Sequence, residues 1–100
     1  MFLVSSTERF DRNYAELVRR SCDMTRLDRA IGLLSLGYPL PREYRDHQLQ
    51  DEREGIRECH VGGPKSDWLL VYLKVESQSI LKLLETGTHN DLRIGVTKSF

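Results

Sequence analysis

The feature that most restricts the fold of this chain is a run of six consecutive apolar residues, Trp68–Leu73. An apolar run of this length is typical of a central strand covered on both faces, because an exposed face would carry polar residues at alternate positions. The preceding segment, Gly55–Val61, also predicts a strand, and Gly62–Ser66 is a hairpin loop by composition. Other parts of the chain must therefore cover a sheet that is built around residues 68–73.

Two amphipathic segments near the N-terminus can supply that cover. The first has the apolar spacing of one helix face, carried by Phe10, Tyr14, Leu17 and Val18. Ser5 and Glu8 form a capping-box pattern that predicts where this helix begins. The second has an apolar stripe made of Met24, Leu27, Ile31 and Leu34, with Asp23 or Thr25 as a possible cap and Gly37 just past its end. The two helices should form a hairpin.

The remaining elements complete a sheet. Met1–Val4 and Ile80–Thr86 read as strands, and Arg42–Gln50 is polar enough to be a short edge strand or an ordered loop. Short loops between consecutive strands imply antiparallel pairing. We therefore expect an α+β domain in which two N-terminal helices pack on a small, mainly antiparallel sheet of four to five strands. A single domain should span residues 1–93, with a C-terminal tail over 94–100.

Charge and cysteine content indicate the binding partners and the cellular compartment that suit this protein. The chain has 15 basic and 15 acidic side chains, so its formal net charge is zero. The overall composition therefore lacks the excess of basic residues that is typical of nucleic-acid-binding proteins. Cys22 and Cys59 lack CxxC spacing and suggest a reducing compartment rather than a disulfide scaffold. No apolar run approaches the length of a membrane span. We expect a cytoplasmic protein that does not enter a membrane.

Three histidines lie at or near the ends of predicted elements, at His47, His60 and His89. If the last three strands are neighbours, their ends bring His60, Asp67 and His89 together, and His47 enters from the preceding turn. Paired imidazoles can supply one proton acceptor and one proton donor, and a carboxylate can fix an imidazole tautomer. This inventory suits metal-free cleavage of RNA through its 2′-hydroxyl, with Trp68 or Tyr72 stacking on an unpaired base.

Taken singly, these residues have simpler interpretations. A lone histidine is more often a surface or hydrogen-bonded structural residue, Trp68 is more often a core residue, and Asp67 is more often a turn residue. A metal hydrolase using the three histidines and Asp67 is a further alternative, but the spacings match no compact ligand motif. We therefore expect neither a metal site nor a cofactor.

Four short motifs within Pro39–Leu92 favour the catalytic interpretation of these residues over the structural ones. They are Leu40-Pro-Arg-Glu-Tyr-Arg-Asp-His-Gln-Leu, Gly55-Ile-Arg-Glu-Cys-His-Val, Asp67-Trp-Leu-Leu-Val-Tyr and Thr86-Gly-Thr-His-Asn-Asp-Leu. In this order and at these spacings they resemble the YafQ branch of the RelE-type toxins, which are ribosome-dependent mRNA interferases of bacterial type II toxin–antitoxin systems. The resemblance implies a RelE-like toxin fold, cleavage of mRNA in the ribosomal A site, and a hetero-oligomer with a cognate antitoxin.

The resemblance also assigns roles to residues. By motif, His47 is expected to be the general base and His89 the general acid, although these two labels can be exchanged. His60 and Asp67 are expected to position or polarise the reacting groups. The candidate RNA contacts are Arg45, Arg57, Trp68 and Arg93.

Several positions depart from the family pattern. Relatives often have an arginine where this chain has Glu85, which would replace a phosphate-facing cation with an anion, and Arg93 follows Leu92 where relatives commonly have phenylalanine. The chain is neutral where family toxins tend to be basic, which would mean fewer phosphate contacts. These departures favour an alternative function, in which a catalytically weakened homologue binds the antitoxin and acts in operon repression.

Overall fold

The structure, a computed structural model, describes residues 1–49, 55–63, 66–88 and 91–92. His89 and Arg93 lie outside the described residues. The helices and strands, in chain order, are β1 (Leu3–Ser6), α1 (Glu8–Arg19), α2 (Thr25–Ser35), β2 (His47–Gln48), β3 (Ile56–His60), β4 (Leu69–Val75) and β5 (Ile80–Gly87). Short 3₁₀ helices occupy Arg42–Tyr44 and Glu76–Gln78.

The five strands form one sheet in the order β1-β5-β4-β3-β2. Strand β1 pairs with β5 in parallel, and the other pairs are antiparallel. The predicted α+β class, with two helices on a mainly antiparallel sheet, is confirmed. The prediction that the last three strands are neighbours is also confirmed, because His60 lies opposite Leu69 and Leu69 lies opposite Gly87.

The start of α1 differs from the predicted capping box. The backbone N–H of Phe10 donates to the hydroxyl of Thr7 at 3.0 Å, so Thr7 caps the helix. Ser5 and Ser6 instead belong to β1, where Ser6 lies opposite Leu83. Pairing with β5 holds both serines extended, and tertiary structure therefore moves the cap by two residues.

Apolar side chains pack on both faces of the sheet, as the run at residues 68–73 predicts. The face towards the helices carries the larger cluster, which includes Phe10, Leu27, Ala30, Leu34, Tyr44, Cys59, Val61, Leu70, Tyr72, Leu81 and Leu83. The opposite face carries a smaller cluster of Ile56, Leu69, Val71, Leu84 and Leu92. Strand β4 contributes to both clusters, which explains why its residues are apolar at consecutive positions. Within the described part of the chain, no helix is long and apolar enough to cross a membrane.

Candidate active site

Two of the predicted catalytic histidines lie side by side at the edge of the sheet. His47 begins β2 and lies opposite Glu58 of β3, and His60 ends β3. Side chains alternate between the faces of a strand, so Glu58 and His60 point to the same face. The centroids of the two imidazole rings are 6.1 Å apart and the ring planes differ by 29°. The paired imidazoles predicted from the sequence are therefore adjacent.

Both ring nitrogens of His47 face oxygen acceptors. Nδ1 lies 2.7 Å from the backbone carbonyl oxygen of Arg45, and Nε2 lies 3.1 Å from Oε1 of Glu58. A carbonyl oxygen and an ionised carboxylate only accept hydrogen bonds, so each nitrogen must donate a proton to satisfy both contacts. This geometry suits the imidazolium form of His47, and its side chain is about half exposed at 49%.

The contacts of His60 suit the opposite protonation state. Its Nδ1 lies 3.1 Å from Nη2 of Arg45, and a guanidinium group only donates. Nδ1 must therefore accept this hydrogen bond, which leaves the proton of a neutral ring on Nε2. Arg45 adopts left-handed backbone angles, with a φ of +46°, directly after the 3₁₀ helix. That turn directs its carbonyl oxygen to His47 and its side chain to His60.

A hydrogen-bonded triad of Asp46, Arg57 and Tyr72 fixes the segment between these groups. Arg57 donates to both carboxylate oxygens of Asp46, at 3.3 Å from Nε and 3.2 Å from Nη2. The Tyr72 hydroxyl donates to Oδ1 of Asp46 at 2.5 Å. Burial, reinforced by the bond to Asp46, raises the pKa of Tyr72, so its hydroxyl stays protonated and can donate. The guanidinium of Arg57, a candidate RNA contact, thus already binds a carboxylate.

The other predicted site residues have different surroundings. The indole N–H of Trp68 donates to the hydroxyl of Thr86 at 2.9 Å, and the ring packs against the helix-side cluster. Asp67 is exposed and lies two residues before β4, whose first residue pairs with His60. The two remaining predicted site residues, His89 and Arg93, are outside the described part of the chain.

Glu85, the main departure from the family pattern, is completely buried. Neither carboxylate oxygen has a hydrogen-bond partner among the described residues, and Nη1 of Arg9 lies 3.7 Å from Oε1. Burial raises the pKa of Glu85, and the nearby Arg9 charge only partly opposes this effect. The expected anion is therefore enclosed within the protein and does not face solvent.

Glu58 and Asp46 are functional candidates that the sequence analysis did not select. Side chains alternate along a strand, so the pattern of Gly55–Val61 places Glu58 on the face of His60 and contains the signal for it. Nothing local indicated Asp46, because its partners come from β3 and β4. Across the described ranges, no group of three or more histidine, cysteine, aspartate or glutamate side chains is arranged to hold a metal ion.

Comparisons with known proteins agree on one family. Residues 3–94 match the family model described as "Bacterial toxin of type II toxin-antitoxin system, YafQ". The chain is 38% identical over 72 residues to the mRNA interferase toxin YafQ of Escherichia coli strain K12, covering 71% of this chain and 73% of that protein. A crystal structure of the E. coli DinJ–YafQ complex superposes with a TM-score of 0.81 at 31% identity, covering 92% of this chain and 98% of the other. A metal-bound toxin from Helicobacter pylori gives 0.83 at 33% identity, covering 92% and 99%.

Proposed function

This chain belongs to the YafQ family of toxins of bacterial type II toxin–antitoxin systems, and we propose that it is an endoribonuclease that cleaves mRNA on the ribosome. The observation that carries this proposal is the adjacent pair His47 and His60, in which His47 faces oxygen acceptors and His60 faces a guanidinium donor. A charged and a neutral imidazole side by side are suited to acid–base chemistry.

The proposed reaction is an attack of a ribose 2′-oxygen on the adjacent phosphorus. A base removes the 2′-hydroxyl proton, a bond forms from the 2′-oxygen to phosphorus, and the bond from phosphorus to the 5′-oxygen breaks. An acid returns one proton to the departing oxygen, so the products are a 2′,3′-cyclic phosphate and a 5′-hydroxyl. His47 is suited to be this acid, because the oxygen acceptors beside it can accept a hydrogen bond from each ring nitrogen.

This assignment exchanges the two labels that the motifs suggested. The proposal leaves the base role to His89, with Asp67 as a polarising group, on the family likeness alone. Arg45 supplies positive charge to the phosphorane oxygens as negative charge builds up, and His60 positions its guanidinium through the hydrogen bond to Nδ1. Glu58 keeps the ring of His47 in place and compensates its charge.

The test uses synthetic mRNA on programmed ribosomes. The protein should produce 2′,3′-cyclic phosphate and 5′-hydroxyl ends, and a 2′-deoxy nucleotide at the cleavage site should abolish cleavage. His47→Ala should slow cleavage about 10²- to 10⁴-fold. A substrate whose 5′-leaving oxygen is replaced by sulfur should restore most of that rate, because a thiolate departs without being protonated.

Gln48→Ala is the matched control, since Gln48 is exposed and follows His47 in β2. It should cleave both substrates like the parent. If the sulfur substrate fails to rescue His47→Ala, His47 is not the acid. If the parent produces no cleavage on ribosomes, the nuclease proposal itself is wrong.

We also propose that the chain binds an antitoxin encoded beside it, forms a hetero-oligomer, and acts in the cytoplasm. Family membership and the likeness to the E. coli complex support this partner. The alternative function is a catalytically weakened toxin that serves as an antitoxin-binding module in operon repression. The neutral net charge and the buried Glu85 favour it. Expression without the antitoxin separates the two: growth arrest with mRNA cleavage supports the nuclease, and normal growth supports the alternative.

A further inference from the structure

A pocket of about 350 Å³ lies between the turn that joins the two helices and the loop that follows β3. Its lining residues are Cys22, Asp23, Arg26, Val61, Gly62 and Trp68. Most of the lining is apolar, and the volume is near the lower end of the range for ligand pockets. The pocket can therefore accept one or two side chains of a partner.

Arg26 brings a positive charge to this pocket, which also holds the carboxylate of Asp23. Its guanidinium lies over the ring of Tyr44, 4.9 Å from the ring centroid, which fixes its orientation. Nε and Nη2 are buried, and neither has a hydrogen-bond acceptor among the described residues. A partly desolvated cation without an ion-pair partner attracts an anion more strongly than a cation in water does.

The charges around the pocket favour a single carboxylate over a polyanion. The carboxylate of Asp23 lies at the same pocket, and its Oδ1 accepts a hydrogen bond from the backbone N–H of Thr25 at 3.0 Å. An approaching RNA backbone would bring several negative charges to one arginine and one aspartate. An acidic side chain brings one, and its apolar neighbours can pack on Trp68, which is partly exposed at the pocket.

The pocket opens on the helix side of the sheet, away from the two histidines. Val61 packs in the helix-side cluster, whereas His60, its neighbour in the chain, points to the opposite face because strand residues alternate. A partner can thus occupy this pocket without contacting His47 or His60. We propose that the pocket binds an acidic side chain of the antitoxin, with its carboxylate on Arg26 and an adjacent apolar side chain against Trp68.

This inference rests on the proposal that the chain binds an antitoxin, so the test measures antitoxin affinity and mRNA cleavage separately. The probe is the purified product of the adjacent antitoxin gene, titrated by calorimetry. Arg26→Gln should weaken binding about tenfold or more, because it removes the charge and leaves the carboxylate buried without a partner. Arg29→Gln, an exposed position on the same helix, is the control for the same loss of charge and should change affinity less than about twofold.

Cys22→Trp provides a second variant that keeps Arg26 and its contact with Tyr44. The larger side chain fills the pocket, so the affinity should fall to a similar extent, and this variant decides the matter if Arg26→Gln does not fold. Both variants should still cleave mRNA on ribosomes. A charge reversal, Arg26→Glu, should be rescued by a lysine at one acidic position of the antitoxin.

Three outcomes would overturn the proposal. Unchanged antitoxin affinity in Arg26→Gln and Cys22→Trp would show that the pocket is not occupied in the complex. Weakened binding of a short RNA instead of the antitoxin would show that the arginine contacts nucleic acid. If the parent protein does not bind the antitoxin, the pocket has no such partner and this proposal is wrong. If the parent still cleaves mRNA, the nuclease proposal is unaffected.

Discussion

At the scale of single residues, Glu58 provides the carboxylate that holds the ring of His47 in this site. Its Oε1 is 3.1 Å from Nε2 of His47, and its side chain is only 15% exposed. A carboxylate that is largely shielded from water interacts more strongly with a neighbouring cation than an exposed one does. The proposed acid role of His47 therefore depends on the negative charge of Glu58, in addition to its shape.

The first prediction concerns that charge. Glu58→Gln keeps an oxygen acceptor near Nε2 but removes the charge, so kcat for mRNA cleavage should fall about tenfold or more. Single-turnover cleavage on ribosomes is the measurement, and Glu58→Asp should recover part of the loss. Glu43→Gln, at an exposed position of the first 3₁₀ helix, is the control and should leave kcat unchanged. Equal rates for Glu58→Gln and the parent would contradict the role.

The second prediction concerns the stability contributed by Glu85. Its pKa is raised in the folded protein, so between the unfolded and folded pKa values the native state binds more protons than the unfolded state. Stability must then be greatest below the unfolded pKa and fall as the pH rises through the folded value. Glu85→Gln removes this titration, so the parent should lose stability relative to the variant as the pH rises above the unfolded pKa of a glutamate side chain.

Urea denaturation of both proteins at a series of pH values measures this difference. Subtracting the curve of the variant cancels the contributions of the other titrating groups. If the difference between parent and variant is constant with pH, Glu85 titrates with the same pKa in the folded and unfolded states.

At the scale of elements, the two-residue strand β2 is too short to hold its own position. Its register with β3 covers His47 and Gln48, and the backbone N–H of Leu49 donates to the carbonyl oxygen of Ile56 at 3.0 Å. Asp46, directly before β2, connects this strand to the central strands, because it accepts hydrogen bonds from Arg57 of β3 and Tyr72 of β4. The position of His47 thus depends on the central strands through the residue that precedes it.

The third prediction tests that attachment. Asp46→Ala should reduce the free energy of unfolding by about 2 kcal/mol and should also lower kcat, because the segment that carries His47 is released. Tyr72→Phe removes one of the hydrogen bonds and should cost about 1 kcal/mol with a smaller effect on kcat. Urea denaturation and single-turnover cleavage are the two measurements. If Asp46→Ala is clearly destabilised but keeps the kcat of the parent, Asp46 stabilises the fold without positioning His47 for catalysis.

At the scale of the whole molecule, the balance of charge limits how the protein can bind RNA. The chain has equal numbers of basic and acidic side chains, and Arg57 is already paired with Asp46. With one anion for every cation, we expect the chain to make few phosphate contacts and to release few counterions. We therefore expect the ribosome, on which we propose that cleavage takes place, to supply much of the binding energy for the substrate.

The fourth prediction follows from this balance. Binding of a short single-stranded RNA should depend weakly on salt, with a slope of log affinity against log salt no steeper than about −2, which corresponds to two or three phosphate contacts. Fluorescence anisotropy between low and high salt gives the slope. A steep slope would reveal a basic surface that the charge count does not predict.

The sequence by itself determined the elements and the family of this protein. Helical periodicity, the apolar run at Trp68–Leu73 and strand alternation depend on neighbours in the chain, so they can be read without coordinates. They correctly predicted two helices on a mainly antiparallel sheet and adjacent β3, β4 and β5. The motif spacings identified the YafQ branch, and the comparisons agree. The domain boundaries and the catalytic roles remain predictions.

Only the tertiary structure decided what each site residue touches. The register of β2 against β3 places Glu58 beside His47, and the turn at Arg45 joins the two histidines. The packing of Trp68 in the helix-side layer and the burial of Glu85 depend in the same way on elements distant in sequence. Protonation and ion pairing depend on the nearest partner atoms and on exclusion of water. Both arise when remote segments pack together, so local patterns cannot specify them.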